Sequence, residues 1–297
     1  MSSAATRTRG RAEIQVLQSD QLRDLAWLVH GFSTRVGGFS KAYGGQALNL
    51  SPTEEDSKAV VERNRAAFLK AIGACDKRAP WPLTSARQVH SAAIHRVDGV
   101  PPRPLVGDGL ITATPGLVLA VKTADCIPVL IADRKRRAVG AFHAGWHGTV
   151  ARVVEKGVGE MRRQFGSDPT DLVAAIGPGV HRCCYAVGDE VRDKFASQFA
   201  YASELFEEVF SSDPVRERYP LLFLNQRAPG HGEPPRQTHL DLIEANRRQL
   251  VDAGVAAESI SVIDLCTSCR TDLLFSHRKE RGRTGRMMAV IGIRGSN

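Results

Sequence analysis

The sequence has 297 residues, of which 42% are hydrophobic and 24% charged, and its 40 basic against 32 acidic side chains give a formal charge of +8. These values are ordinary for a globular chain and exclude disorder, collagen and coiled coil as descriptions of the whole protein. No apolar run reaches the roughly 18–20 residues of a membrane-spanning helix, and no apolar segment follows the first basic residues as it would in a secretory signal. We therefore expect a cytoplasmic protein without a membrane partner.

Positive charge is concentrated in three segments, residues 1–11, 133–137 and 270–286. We interpret residues 1–12 as a basic disordered tail and residues 13–297 as a single domain, since no linker or repeat divides the latter. Clustered base indicates an anionic ligand or nucleic acid. A nucleic-acid-binding module is disfavoured because only 6% of residues are aromatic and no recognised binding motif is present.

Helical and strand-like apolar patterns alternate along the chain, which predicts an α/β fold. In chain order, helices are predicted over residues 56–73, over residues 149–165, around Val191, Phe195 and Phe199, and after Thr238 as an N-cap. Strands are predicted over residues 117–121, 127–132, 138–142, 173–176, 261–265 and 288–293. The charged segment 133–137 is predicted to be a hairpin turn, and residues 228–237 a Pro/Gly-rich loop.

Three side chains that can bind a metal fall at predicted strand ends or in loops: His90, Cys126 and His143. Two imidazoles and a thiolate suit Zn²⁺, with a fourth position open for water or substrate. Their spacing matches no local metal motif. From the residues alone, a buried cysteine that acts as a small hydrophobe and a core or surface histidine remain comparable interpretations.

The segment 143–148, HAGWHG, stands between a predicted strand and a predicted helix. Small residues there indicate a close approach of the backbone to other groups. His143 and His147 are four residues apart and would share one face of a helix, where both could bind one metal ion. Gly145 and Gly148 favour a loop instead.

Other cysteines and one histidine offer weaker alternatives. Cys266 and Cys269 have the CxxC spacing of half a zinc site, but no second CxxC exists, and the adjacent pair Cys183 and Cys184 is predicted to be poorly placed for a shared tetrahedral site. Residues 231–233, HGE, together with that CxxC pair nearly match the signature of zinc deaminases. The match lacks the proline of that signature and lies in the Pro/Gly-rich loop.

The ordered set of segments resembles the YfiH-like family, which is also described as a multicopper polyphenol oxidoreductase or laccase and is associated with purine nucleoside phosphorylase activity. The matching segments cover roughly residues 30 to 293. They are TRVGGFS at 34–40, LNLS at 48–51, NR at 64–65, QVHS at 88–91, DGLIT at 108–112, TADCIP at 123–128, HAGWHG at 143–148, IGP at 176–178, CCYAVG at 183–188, LDL at 240–242, CT at 266–267, FSHR at 275–278 and GR at 285–286.

The resemblance implies a single compact domain, a layered sandwich of mixed β-sheets with flanking helices. It implies a Zn²⁺ ion held by His90, Cys126 and His143, with copper as the second expectation. It also implies phosphorolysis of adenosine, inosine, guanosine and methylthioadenosine, with adenosine deamination as a further activity. The chain departs from the family pattern at His147, where Arg is usual, and at His277, where Tyr is usual, and both positions bear on substrate preference.

Phosphorolysis needs a phosphate behind C1′ of the ribose, and arginine offers it two parallel donors. Arg35, beside a Gly-Gly turn, is the first candidate, and Arg286 or Arg278 the second. The matching segments add Asn49, Gln88 and His147 as substrate or phosphate contacts. Deamination needs a carboxylate that carries a proton, for which Asp125 is nearest in sequence to the candidate ligand Cys126. The expected partners are a purine nucleoside and phosphate, bound by a monomer or a homodimer.

Two other enzyme classes remain as alternatives. Cys126 could act as a nucleophile with His143 as its base, in an amidase that edits peptidoglycan precursors. A multicopper polyphenol oxidase is disfavoured, because none of the nine histidines stands in an H-x-H pair whereas several coppers need many imidazoles.

Overall fold

The computed structural model describes residues 12–76, 79–210, 218 and 236–295. The predicted basic tail, apart from Ala12, and most of the Pro/Gly-rich loop lie outside these residues. None of the described helices is long and apolar enough to cross a membrane.

The described chain forms fifteen strands and six α-helices. The strands are β1 (Val16–Leu17), β2 (Leu28–Ser33), β3 (Val36–Ser40), β4 (Leu83–Ser85), β5 (Ile94–Arg96), β6 (Gly109–Thr112), β7 (Val118–Thr123), β8 (Ile127–Asp133), β9 (Val139–Ala144), β10 (Leu172–Ile176), β11 (Ala186–Val187), β12 (Phe206–Phe210), β13 (Arg236–Leu240), β14 (Ile260–Val262) and β15 (Met287–Ile293). The helices are α1 (Asp20–Arg23), α2 (Lys58–Ala71), α3 (Trp146–Val150), α4 (Val153–Phe165), α5 (Asp189–Ala196) and α6 (Leu242–Asp252).

Two mixed sheets form the centre of the molecule. One has the strand order β1-β2-β15-β7-β4 and the other the order β14-β10-β8-β9-β6-β5, while β11, β13 and β12 form a small third sheet. The two large sheets pack face to face. Helix α2 covers the outer face of the five-stranded sheet, and α4 and α6 cover that of the six-stranded sheet. The predicted layered α/β sandwich in one compact domain is therefore confirmed.

The alternation of side chains along the central strands explains this layering. In β7, Leu119 and Val121 point into the core between the sheets, whereas Val118 and Ala120 face α2. Strand β8 alternates in the same way. Because both faces of these strands are buried, their sequences are almost continuously apolar, and this is why they could be predicted.

Several helix boundaries differ from the prediction. The expected helix over residues 149–165 is two helices, α3 and α4, because Arg152 between them has a left-handed backbone with φ of 60°. Helix α6 is capped by Asp241, whose side chain accepts a hydrogen bond from the Glu244 N–H, and not by Thr238, which lies in β13. Helix α2 and its end before Gly73, and the charged turn after β8, occur as predicted.

A candidate metal centre and its cavity

The open end of the β8–β9 hairpin brings two of the predicted ligands together. Cys126 directly precedes β8, and His143 lies near the end of β9, where it pairs with Pro128 of β8. His90 comes from the loop between β4 and β5 and has a left-handed backbone with φ of 58°. The ligand atoms of these three residues all lie within 4.8 Å of one another, and His90 Nε2 is 3.7 Å from Cys126 Sγ.

Gly145 supplies the space in which these ligands meet. A Cβ atom at this position would lie 2.7 Å from Cδ2 of His90 and 2.9 Å from Sγ of Cys126. Any side chain would therefore displace two of the three ligands. The close approach of the backbone expected for segment 143–148 therefore occurs at Gly145, against His90 and Cys126. His143 stands in a strand and His147 in a helix, so the hypothesis that the two share one helical face is wrong.

Asp108 fixes the orientation of two ligands. Its carboxylate, 1% exposed, lies 2.9 Å from Nδ1 of His143 and accepts hydrogen bonds from the backbone N–H groups of Val89, His90 and Ser91. Burial alone would raise the pKa of Asp108, but the hydrogen bonds from His143 and Ser91 hold it at about 2. An ionised carboxylate at Nδ1 keeps the proton there and leaves Nε2 of His143 as the ligand atom.

No role was assigned to Asp108 from the sequence, although its segment is among those that match the family. The available signal was an acidic residue between Gly107 and Gly109, immediately before the apolar segment that forms β6. Its partner His143 is 35 residues away, so only the folded chain shows the pair.

The environment of Cys126 does not favour an uncoordinated nucleophile. Burial raises the pKa of this thiol to about 12, and the nearby carboxylates of Asp125 and Asp108 act in the same direction. Burial also lowers the pKa of His143, so its imidazole is held neutral. A thiol that stays protonated at neutral pH reacts slowly with electrophiles.

Asp125 is held by three hydrogen bonds. Its Oδ1 accepts from the hydroxyls of Thr267 at 2.6 Å and Ser276 at 2.7 Å, and its Oδ2 accepts from the backbone N–H of Arg278 at 2.7 Å. Its backbone has a φ of 102°, a conformation that non-glycine residues seldom adopt. The carboxylate thus fastens the residue before Cys126 to the C-terminal part of the chain.

A cavity of about 410 Å³ opens beside the three ligands. This volume lies in the range of small-molecule sites. The residues that line it include cations and imidazoles, and no carboxylate is among them within the described part of the chain. The lining residues are Ser51, Arg87, Gln88, His90, Lys122, Thr123, Ala124, Cys126, His143, His277 and Arg286.

The cations of the cavity repel one another, which prepares it for an anion. Burial lowers the pKa of Lys122, and the positive charges of Arg65 and Arg286 lower it further. Gln88 holds the Lys122 backbone through two hydrogen bonds of 2.8 Å, one from Gln88 Nε2 and one to Gln88 Oε1. Asn49 does not line the cavity. It is fully buried and accepts a hydrogen bond from the backbone N–H of the lining residue Arg286.

The structure does not bring the other predicted anion ligands into this cavity. The Arg35 guanidinium donates to the carbonyls of Thr271 and Tyr43, pairs with Glu280 at 3.0 Å and lies over the Phe275 ring.

Arg278 and His147 also lie outside the cavity lining. The Arg278 guanidinium donates to the Ala186 carbonyl and lies over the Tyr185 ring. His147 is exposed in α3 and stacks on Trp146 with the ring centres 3.5 Å apart.

The zinc-deaminase interpretation of Cys266 and Cys269 gains no support from the fold. Among the described residues, these two cysteines group with Cys183 and Cys184 and not with a histidine. The histidine and glutamate of residues 231–233 lie outside the described residues.

Comparison with known proteins places these observations in a family. Residues 29–294 match a family model described as multi-copper polyphenol oxidoreductase laccase. A Deinococcus radiodurans protein named purine nucleoside phosphorylase is 38% identical over 269 residues, 89% of this chain and 88% of that protein. The Escherichia coli protein named purine nucleoside phosphorylase YfiH is 33% identical over 260 residues, 87% of this chain and 91% of that protein.

Solved structures show the same architecture. The crystal structure of the Bacillus licheniformis hypothetical protein YfiH superimposes with a TM-score of 0.74 at 34% identity and covers 90% of this chain and 93% of that one. YlmD from Geobacillus stearothermophilus gives a TM-score of 0.73 at 32% identity, over 93% of this chain and 94% of that one.

Proposed function

Because the chain belongs to the multi-copper polyphenol oxidoreductase laccase family, and its relatives are named purine nucleoside phosphorylases, we propose that it is a zinc-dependent purine nucleoside phosphorylase. Adenosine, inosine, guanosine and methylthioadenosine are the proposed substrates. The observation that carries the proposal is a cavity in which three metal-binding side chains face a group of cations with no carboxylate among the described lining residues. A cavity of this kind suits an anionic co-substrate.

Phosphorolysis joins a phosphate oxygen to C1′ of the ribose and breaks the bond from C1′ to the purine nitrogen. The phosphate must be held close to the ribose with its negative charge balanced, which lowers the cost of bringing two reactants together. Arg87, Lys122 and Arg286 line the cavity and would supply that balance. Arg35 and Arg278 do not line the cavity and are therefore not part of this proposed phosphate set.

The three ligands suit zinc. Two neutral imidazoles and one thiolate are donors that zinc prefers, and the Asp108 contact to His143 Nδ1 is the supporting hydrogen bond that metal-binding histidines usually have. When bound by His90, Cys126 and His143, the ion would supply a Lewis-acidic positive charge at the cavity wall. Copper also accepts these donors. Among the described residues, however, only His90 and His143 join a metal-capable group, which disfavours a site for several coppers.

Asp125 is better suited to positioning than to proton transfer. Both of its oxygens already accept hydrogen bonds from Thr267, Ser276 and Arg278. A carboxylate that carries a proton between substrate atoms must exchange its partners during the reaction. This geometry favours phosphorolysis over deamination at this centre.

The test is product analysis by mass spectrometry. Zinc-loaded protein is incubated with adenosine, with and without inorganic phosphate. Adenine and ribose 1-phosphate that appear only with phosphate support the proposal. Inosine formed in both samples would indicate deamination instead. Unchanged adenosine in both samples would overturn the nucleoside proposal, and amide-containing cell-wall precursors would be tested next.

A variant links the activity to the cavity. Arg286→Met is expected to raise the KM for phosphate by about 10-fold or more, the effect of losing one charge-assisted hydrogen bond, and to leave the KM for adenosine nearly unchanged. Arg103→Met, which removes an exposed arginine from the loop between β5 and β6, is the matched control and should change neither constant. Equal effects on both Michaelis constants in Arg286→Met would contradict a phosphate role.

A further inference from the structure

Four cysteines from two distant parts of the chain meet at the surface. Cys183 and Cys184 lie in a short 3₁₀ turn, and Cys266 and Cys269 lie in the turn that follows β14. Their four sulfur atoms all lie within 4.8 Å of one another. We call this group the cysteine quartet. The sequence-based expectation that the adjacent pair is poorly placed for a shared site is wrong, because the 3₁₀ turn directs both sulfurs toward the CxxC pair.

The sulfur spacing is that of a tetrahedral metal site. A Zn–S bond of about 2.3 Å sets the sulfur atoms of a regular tetrahedron about 3.8 Å apart. The sulfur of Cys269 lies 3.7 Å from that of Cys183 and 3.4 Å from that of Cys184. The sulfurs of Cys183 and Cys184 are 3.7 Å apart. A disulfide needs about 2.05 Å, so none of these pairs is bonded.

The backbone also favours a thiolate at one of the four positions, Cys266. The N–H of His181 points at the sulfur of Cys266 at 3.5 Å, and a hydrogen bond of this kind stabilises a negatively charged sulfur. Cys266 is buried, whereas Cys183 and Cys269 are exposed. Four thiols in van der Waals contact gain little from one another, but four thiolates around a divalent cation form a closed structural site.

We propose that the cysteine quartet binds a second zinc ion, separate from the His90–Cys126–His143 centre. This second ion has a structural role. All four positions of a tetrahedron are taken by protein sulfurs, so no position remains for a substrate.

The quartet ties together the turns that support the candidate active site. Thr267, next to Cys266, donates its hydroxyl hydrogen to Asp125, next to Cys126, at 2.6 Å, and its backbone N–H donates to the Gly179 carbonyl. Ser268 lies 3.0 Å from Ser276, which also binds Asp125. A zinc ion in the quartet would hold the turn at 266–269 to the turn at 182–184. It would thereby fix the partners of Asp125 without contacting substrate.

The first test is the zinc content of the untagged, full-length protein, measured by mass spectrometry of the metal against protein concentration. We expect two zinc ions per chain in the wild type, one in Cys126→Ser and one in the double variant Cys183→Ser/Cys269→Ser. Cys75→Ser, which changes a cysteine outside both groups, is the control and should keep two. The exposed pair is chosen because its replacement leaves the packed core unchanged.

The second test leaves the quartet intact. Cys126→Ser is reconstituted with Co²⁺, and the thiolate-to-cobalt charge-transfer absorption is recorded. Strong absorption in this variant supports the proposal, since the quartet then supplies the thiolates. A zinc content that is the same in the wild type and in Cys183→Ser/Cys269→Ser, or no charge-transfer band in Cys126→Ser, would overturn it. So would a mass of the unreduced protein lower by two hydrogens, which would show a disulfide in place of a metal site. None of these readouts depends on phosphorolysis.

Discussion

The His90–Cys126–His143 centre and the cysteine quartet differ in what completes them. The first has three protein ligands within 4.8 Å of one another and faces a cavity of about 410 Å³. The second has four sulfurs at the same spacing. Three ligands with an open position are typical of catalytic zinc, and four are typical of structural zinc. The number of protein ligands thus separates two roles within one domain.

The two centres also differ in the elements that carry them. Cys126 and His143 stand at one end of a buried β-hairpin, and Asp108 at the start of β6 holds His143 in place. The quartet is built on two turns that lie outside the large sheets. A metal ion should therefore contribute more to folding at the quartet and more to chemistry at the open centre.

The largest expected effect tests whether the open centre serves chemistry and the quartet serves folding. Cys126→Ser should lower turnover by more than about 100-fold, because losing a metal ligand should cost more than losing a residue that only supports one. The same variant should change the midpoint of thermal unfolding by little. Cys183→Ser/Cys269→Ser should lower that midpoint by about 5 °C and lower turnover much less than Cys126→Ser does, because the ion of the quartet would hold two turns together without contacting substrate. Thermal denaturation and steady-state kinetics on both variants test this, and equal losses of activity would contradict two separate roles.

The next effect isolates the support of the open centre. Asp108→Asn removes the negative charge at His143 Nδ1 and should weaken zinc binding there by about 10- to 100-fold. The quartet should keep its ion with unchanged affinity. Competition with a chromophoric chelator measures both affinities, because the two ions should be released in separate steps. A single step shared by both ions in this variant would show that Asp108 acts through folding.

The pattern of apolar residues explains how much of the fold could be predicted. Strands β7, β8, β9, β10 and β15 were predicted because both of their faces are buried and their sequences are continuously apolar. Strand β3 was missed, since its segment, VGGFS, contains two glycines. The break between α3 and α4 was missed because a left-handed conformation at Arg152 leaves no mark in the sequence.

Site residues were predictable where chemistry and local position agreed. Cys126 and His143 were found at strand ends, and the family resemblance selected them together with His90. Arg35 was favoured for phosphate because it stands beside a Gly-Gly turn, but Glu280 and Thr271, more than 230 positions later, bind its guanidinium. Contacts of such long sequence separation depend on the sheet order, which a single sequence does not show.

A smaller effect concerns the charge of the cavity. Lys122→Met should raise the KM for phosphate by about 10-fold and leave the KM for adenosine unchanged. Because burial and the nearby arginines lower the pKa of Lys122, the wild-type side chain loses its proton at a lower pH than an ordinary lysine. The KM for phosphate should therefore rise as the pH increases toward 10. Lys122→Arg should remove this rise, and an unchanged pH profile in that variant would exclude Lys122 as the titrating group.

The smallest expected effect concerns His147, which was expected from the resemblance to contact substrate or phosphate. His147 lies outside the cavity lining and stacks on Trp146, and the ammonium of Lys194 is 5.3 Å from the Trp146 ring centre. Partial loss of solvent around the exposed ring and the charge of Lys194 lower the pKa of His147, so at neutral pH it adds little positive charge. His147→Arg should change the KM for phosphate by less than about 3-fold, as exposed substitutions away from a site usually do. A 10-fold fall in that constant would instead mean that residue 147 reaches the anion.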